Sequence, residues 1–247
     1  RAGVEVVLGV LEERNPRLNQ AYFKYIRSRT PFVTLKAALT WDGRMATRSM
    51  KSRWISSPAA RDYAHLLRAE HDALLVGIGT ILRDDPLLTV RHPLWPGKRL
   101  WRAVLDSRLR FPPEARIAGT LDSGGVLVFT GSDPPLDRVR ALEKRGIEVI
   151  PLPRGAGGLS LSPALEELGR REAASLLVEG GGTVISSFLD KRLADRLVLS
   201  LSPKLFGGLR APSLYEGRGA DEVRDALRLK RTRAFELGDE VFLEGYP

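Results

Sequence analysis

Short apolar runs of strand type alternate with helical patterns along this 247-residue chain, and that alternation restricts its fold more than any other feature. The runs Val4–Val10, Phe32–Ala38, Asp72–Gly77, Arg102–Asp106, Val126–Thr130, Glu148–Leu152, Leu176–Glu179, Arg196–Ser202 and Glu240–Leu243 read as strands. Asp72–Gly77 is apolar almost throughout, as in a strand covered on both faces. Between the runs, Asn15-Pro16 and Ser57-Pro58 each place a capping side chain before a proline suited to a first helical turn. The first of these helices would run to about Arg27, with Leu18, Tyr22, Phe23 and Ile26 on one face; the second would run to about Glu70. Further helices are predicted over Pro134–Lys144, from Ser162-Pro163, and from the glycines after Glu179 to about Asp190. Strands separated by helices predict an α/β fold with a mostly parallel central sheet flanked by helices. The stretches Arg91–Arg99 and Phe206–Gly219 read as loops, and nothing repeats at a fixed period. A boundary falls near Ser28–Pro31, because one strand and one helix before it cannot bury a core alone.

Composition removes several classes of function. No apolar run approaches the roughly 18 residues of a membrane-spanning helix, and the first residues do not read as a signal peptide. The chain has no cysteine, which excludes disulfides and thiolate metal sites and fits the cytoplasm. His65, His71 and His92 form no metal-binding pattern, so no metal is expected. Lys and Arg outnumber Asp and Glu by 39 to 30, a formal charge of +9. That excess suits either a nucleic-acid-binding α/β module or an enzyme of phosphorylated small molecules. Acids are interspersed among the basic residues, unlike a polybasic tail.

Three segments combine chemistry with position. Leu177-Val-Glu-Gly-Gly-Gly-Thr183 ends a buried strand in three glycines and leads into a helix, an arrangement in which backbone N–H groups and the helix dipole receive phosphate. Its Glu179 stands where ligands bind in open α/β sheets. Val76-Gly-Ile-Gly-Thr80 also ends a strand in glycines; Asp84-Asp-Pro86 and Arg91 follow, the acids suited to a turn or a cleft and the arginine to a phosphate. In the third segment Lys36 lies mid-strand among apolar residues, a costly place for an ammonium without a partner or a task. Asp42-Gly43 reads as a turn, and Trp54 as a core residue or a stacking surface.

Taken together these segments resemble the reductase domain of the bifunctional riboflavin-biosynthesis deaminase/reductase. The matching stretches are 32–46, 52–56, 67–80, 84–91, 104–107, 177–181 and 203–208, in the family's order and spacing. The resemblance implies a dihydrofolate-reductase-like fold over 31–247, with 1–30 as the last strand and helix of a deaminase domain and no deamination by this chain. It implies NADPH-dependent reduction of 5-amino-6-(5-phospho-D-ribosylamino)uracil at C1′, in a cytoplasmic homodimer with no nucleic-acid or membrane partner. Carried over by position, the substrate residues are Ser52, Arg68, Leu88, Arg91 and Glu179. The cofactor residues are Ala38, Trp54, Thr80, Asp84, Ser107 and the loop Gly181, Gly182, Thr183, Val184, Ile185, Ser186 and Ser187. Lys36, Asp84 and Glu179 are the candidate catalytic groups, expected to converge on one cleft beside Gly180–Gly182. In this chain Met50-Lys51 stands where the family usually has glycine and an acid before Ser52, which bears on the conformation of that loop. Another dihydrofolate-reductase-like pyrimidine or pteridine reductase is the alternative within enzymes.

Overall fold

The computed structural model describes residues 18–155 and 157–247, with residues 3, 5, 7 and 9 before them. The strand expected over 4–10 and the cap at Asn15-Pro16 therefore lie largely outside the described residues. From residue 18 onward the elements follow the predicted alternation. They are α1 (Gln20–Ser28), β1 (Phe32–Thr40), α2 (Pro58–Glu70), β2 (Ala73–Gly77), α3 (Ile78–Asp84), β3 (Trp101–Leu105), β4 (Val126–Gly131), α4 (Leu136–Glu143) and β5 (Glu148–Leu152). A short ribbon, β6 (Arg154–Gly155) with β7 (Gly158–Leu159), precedes α5 (Leu161–Arg170), β8 (Ser175–Val178), α6 (Gly182–Asp190) and β9 (Arg196–Ser202). The hairpin β10 (Lys230–Leu237) and β11 (Glu240–Tyr246) ends the chain.

The main sheet has nine strands in the order β10-β11-β9-β1-β8-β2-β3-β4-β5. Every pair from β9 to β5 is parallel, and the hairpin adds two antiparallel strands at one edge. The expected α/β class with a mostly parallel, helix-flanked sheet is what the chain forms. Both faces carry a core. Val33, Leu35 and Ala37 of β1 join Leu165 and Leu168 of α5 and Ile185 and Phe188 of α6 on one face. Leu67 of α2, Ile81 of α3 and Leu142 of α4 join Leu74, Val76, Leu177, Val198 and Phe242 on the other. Two covered faces explain why β2 is apolar at every position rather than alternating.

Some elements differ from the sequence reading. Residues 78–84 form a helix and not a turn, and β10 was not predicted. β10 is an edge strand whose Lys, Arg and Glu residues face solvent; such charge discourages edge-to-edge pairing but hides the period-2 signal. α5 starts at Leu161, slightly before the predicted Ser162-Pro163. On α1 the apolar face exists but is uncovered, with Tyr22 57% and Ile26 47% exposed. Polar contacts dock this helix instead: Tyr25 Oη donates to Gly169 O at 3.1 Å, and Lys24 pairs with Asp195. No described helix is long and apolar enough to cross a membrane.

Two buried polar residues fix the parts that carry the site. Arg102 of β3 is fully buried and donates to Leu87 O at 3.2 Å, Thr120 Oγ1 at 2.6 Å, Thr120 O at 2.8 Å and Gly124 O at 2.5 Å. It thereby ties the loop after α3 to the sheet. His71, just past α2, lies within hydrogen-bond distance of Leu67 O through Nδ1 at 2.6 Å and of Thr34 Oγ1 through Nε2 at 3.0 Å. A neutral ring with the proton on Nδ1 satisfies both and anchors α2 over β1.

Burial holds His71 down at about 4, against about 6.5 in an unfolded chain. As pH falls the unfolded chain takes up this proton first. The stabilising contribution is therefore complete above about 6.5 and is lost toward 4. Chemical denaturation at a series of pH values should show a fall that His71→Gln reduces by about 3 kcal/mol at most. An unchanged slope in the variant would show that His71 is not the group responsible.

Candidate functional site

Glu179 follows β8 directly, and its backbone N–H continues the ladder to Leu75 O at 2.9 Å. The register pairs Leu35 with Val178, so the next step along both strands sets Lys36 beside Glu179. Both side chains belong to the face covered by α2, since side chains alternate and Thr34 and Leu177 lie on that face. Arg68, in the last turn of α2, reaches the same carboxylate. Its Nε lies 3.2 Å from each Glu179 oxygen, Nη2 donates to Oε2 at 2.5 Å, and Nη1 donates to Thr89 O at 3.3 Å.

Electrostatics follow from this crowding. Burial and the Arg68 charge depress Lys36 below the usual lysine range, while Glu179 and Glu240 oppose them. Burial would raise Glu179, but the charge and hydrogen bonds of Arg68, with the charge of Lys36, hold it below the usual carboxylate range. His65 of α2 is lowered to about 4 by burial, then by Arg68 and Arg91, and presents a neutral ring near neutral pH. Its Nδ1 accepts from Arg91 N at 3.3 Å.

Arg91 is exposed, makes a long contact with Thr89 Oγ1 at 3.4 Å, and has no ion-pair partner among the described residues. Burial and the neighbouring charges of Arg68 and Arg116 lower it, so three guanidinium groups share this region without an acid beside Arg91. Leu88 is 2% exposed in the core, and its backbone adopts φ 52°, so only its main chain can meet a ligand. Ser52 lies exposed in the loop after β1. Two residues earlier Met50 adopts φ 64°, the left-handed region that favours glycine.

The opposite wall begins at Gly180. A Cβ there would sit 2.5 Å from Val184 Cβ, so only glycine allows this turn. A Cβ on Gly181 would meet nothing within 4 Å. Gly181 caps α6 and offers no capping side chain of its own, while the Ser213 carbonyl and Glu216 carboxylate lie against Gly182 one residue on. Gly181 and Thr183 are exposed, whereas Gly182, Ile185 and Ser186 are buried. Ser186 Oγ accepts from Glu216 N at 2.8 Å, Ser187 Oγ donates to Thr183 O at 2.8 Å, and Val184 packs where α3 and α6 begin. Thr80 lies in α3, half-buried, and Ala38 lies on β1 opposite Ser200. Ser107 follows β3. Trp54 is 65% exposed with the Arg61 guanidinium 4.6 Å from its ring centroid, so it is a surface and not a core residue.

The structure thus brings Lys36, Glu179 and Arg68 together but not Asp84. Asp84 ends α3, where its carboxylate faces Arg53 Nε at 3.6 Å and its carbonyl accepts from Arg53 Nη2 at 2.6 Å. The expectation that all three candidate catalytic groups form one cluster is corrected to this extent. A helix replaces the expected turn, and the acids acting on Lys36 are Glu179 and Glu240. Sequence reasoning also missed Asp42 as an anchor. It accepts from Thr40 Oγ1 at 2.5 Å, Phe206 N at 3.1 Å and Gly207 N at 2.7 Å, contacts that hold it at about 2. The turn signal Asp42-Gly43 marked the place but not the partner loop.

A glycine turn at a helix start, directly after the Lys36–Glu179–Arg68 group, makes this an α/β protein with its charged side chains at the carboxyl edge of a mostly parallel sheet, the edge at which open α/β folds bind ligands. The chain belongs to the RibD C-terminal domain family, which residues 31–243 match. It is 34% identical to the riboflavin biosynthesis protein RibD of Aquifex aeolicus over 98% of its own length and 65% of that protein's. It is 37% identical to the 2,5-diamino-6-ribosylamino-4(3H)-pyrimidinone 5′-phosphate reductase of Methanothermobacter thermautotrophicus, over 87% of this chain and 97% of that one. Among solved structures, the diaminohydroxyphosphoribosylaminopyrimidine deaminase/5-amino-6-(5-phosphoribosylamino)uracil reductase of Thermotoga maritima superposes with a TM-score of 0.80. The identity is 31%, covering 99% of this chain and 64% of that one. The chain thus spans about two thirds of the RibD proteins it matches.

The Arg68–Glu179 pair is largely buried on both sides, with side-chain exposures of 15% and 14%. Arg68→Met leaves the carboxylate without its hydrogen-bonded partner, with only the Lys36 charge beside it, and should cost up to about 3 kcal/mol in urea denaturation, part of which adding Glu179→Gln should restore. A double variant no more stable than Arg68→Met would refute the pairing.

Proposed function

We propose that this chain reduces 5-amino-6-(5-phospho-D-ribosylamino)uracil to the ribitylamino product with NADPH, through a reductase domain over residues 31–247. The observation that carries this reading is the Lys36–Glu179–Arg68 group, which runs directly into the open glycine start of α6. The similarity to a named phosphoribosylaminopyrimidine reductase over 97% of that protein supports the same reading. It favours a small phosphorylated substrate over nucleic acid as the reason for the basic charge. The reading includes a homodimer in the cytoplasm.

The residues present fit a dinucleotide. The Gly181 turn leaves open space for its phosphates at the start of α6, and in this reading Thr80, Ser107, Ala38, Trp54 and Asp84 serve the same ligand. NADPH supplies the hydride that reduces C1′. The protein's own groups do the rest. Arg91, Arg68 and Ser52 hold the substrate phosphate. Glu179 orients the sugar and pyrimidine polar groups while its charge keeps Lys36 in place. Lys36 Nζ holds and delivers the proton that ring opening and reduction at C1′ require, since one proton is consumed for each hydride added.

Two measurements test this reading. Turnover should be at least tenfold faster with NADPH than with NADH at matched subsaturating concentration, since a charge-assisted contact to the 2′-phosphate is worth about 1.5–3 kcal/mol. Equal rates would refute the cofactor assignment. Arg91→Ala should raise KM for the phosphorylated substrate by roughly 10- to 100-fold with melting temperature unchanged. An unchanged KM with a collapsed melting temperature would make Arg91 structural.

A further inference from the structure

Glu240 opens β11 and is 1% exposed. Its carboxylate accepts from the backbone N–H of Ser57, the cap of α2, and from the hydroxyl of Ser200 on β9. It has no ion-pair partner within 4 Å among the described residues, whereas Glu179 is paired with Arg68. A buried carboxylate held only by neutral donors is costly unless a cation lies close by.

Lys204, which donates to Trp54 O and Ile55 O, and Arg61, which donates to Ser56 O, lie along the backbone before Ser57; Lys36 is the cation on the sheet itself. β1 runs between β8 and β9, with Lys36 opposite Val198 and Ala38 opposite Ser200. Lys36 and Ser200 are therefore diagonal neighbours on the face under α2, with Cβ atoms about 7–8 Å apart by general sheet geometry. The step after Leu35–Val178 sets Glu179 on the other flank. Lys36 thus has Glu179 on one flank and, on the other, Ser200, whose hydroxyl donates to the Glu240 carboxylate. The charged groups acting on it are Glu179 from β8, Arg68 from α2 and Glu240 from β11; His65 on α2 acts on Glu179 in turn.

We infer that Glu240 is a positioning residue for Lys36: a second, buried counter-charge that adds to Glu179, whose carboxylate is shared with Arg68, in keeping the ammonium in the site. It acts through Lys36 and needs no contact with substrate. Through Ser57 and Ser200 the same carboxylate fixes the start of α2 relative to β9, so the end of the sheet that holds Lys36 is set by one group. The role rests on the reading that Lys36 handles the proton, but the occupancy of its ammonium is measurable without turnover.

The experiment is reductive methylation of the full chain at neutral pH, with Lys36 followed by peptide mass spectrometry and exposed Lys230 as internal reference. Only the free amine reacts. Glu240→Gln should label Lys36 at least about threefold faster than the unaltered protein, because a lost counter-charge shifts the amine toward its neutral form. The alkaline limb of the kcat–pH profile, where a proton-donating Lys36 loses its proton, should move to lower pH. Glu240→Asp, which keeps the charge, should stay within about twofold of the unaltered rate. If Glu240→Gln labels Lys36 like the unaltered protein while melting temperature drops, Glu240 is only a structural tie and the inference is overturned. If Glu240→Gln does not fold, the double variant with Lys36→Gln removes both charges and should fold; a double variant that stays unfolded overturns it equally. A normal labelling shift in a protein inactive toward the proposed substrate would leave this inference standing and sink the functional reading alone.

Discussion

The carboxyl edge of the sheet depends on keeping several charges in a place with little water. Lys36, Glu179, Arg68 and Glu240 would each be costly there alone. They are tolerable together because Arg68 meets Glu179 in a forked contact, Lys36 stands beside Glu179, and Glu240 accepts from Ser57 N–H and the Ser200 hydroxyl. Such a group contributes little net stability for its size. What it supplies is a lysine depressed by burial and by Arg68 and supported by nearby acids, and a carboxylate, Glu179, that stays ionised while buried.

The fold makes that arrangement possible by covering both faces of a parallel sheet and leaving its strand ends free. β8 delivers Glu179 and then the glycine turn without a break, so the charged group and the start of α6 share a few residues of chain. α2 carries Arg68 and His65 above β1, held at one end by Ser57 and Glu240 and at the other by His71 and Thr34. The long loops are tied down in the same manner. Arg102 gathers the carbonyls of Leu87, Thr120 and Gly124, Asp42 holds the 206–207 backbone, and Asp190 accepts from Tyr215 Oη at 2.5 Å. The irregular walls of the site are therefore braced from beneath by buried or multiply bonded polar side chains.

Much of the frame is legible in the sequence because local and long-range demands agree. Glu148–Leu152 and Arg196–Ser202 form over the residues predicted, and Ser57 accepts from Ala60 N at 3.2 Å as the cap-then-proline signal requires. Where the demands diverge the reading fails. α3 is short, glycine-containing and rich in isoleucine, and nothing in its local pattern separates it from a turn. β10 carries arginines outward on an edge. Within the site, Lys36 is conspicuous as a charge inside an apolar strand and Glu179 as the end of another. Arg68 stands on a helix face that carries no signal of its own, and only the family resemblance brought it forward. Glu240 left no trace, because an acid opening a strand near the C-terminus reads as solvated. Asp84 shows the opposite error: a short turn after β2 would set it at the edge shared by the strand ends, but a helix forms there and its carboxylate pairs with Arg53.

The central claim, that this edge of the sheet delivers hydride to the sugar carbon of a phosphorylated ribosylaminopyrimidine, is tested most directly by isotope. With NADPH carrying deuterium at both C4 positions, the purified protein and 5-amino-6-(5-phospho-D-ribosylamino)uracil should yield the ribitylamino product with one deuterium at C1′. One NADPH should be oxidised for each product formed. Product without deuterium at C1′, or NADPH oxidation uncoupled from product, would contradict the account.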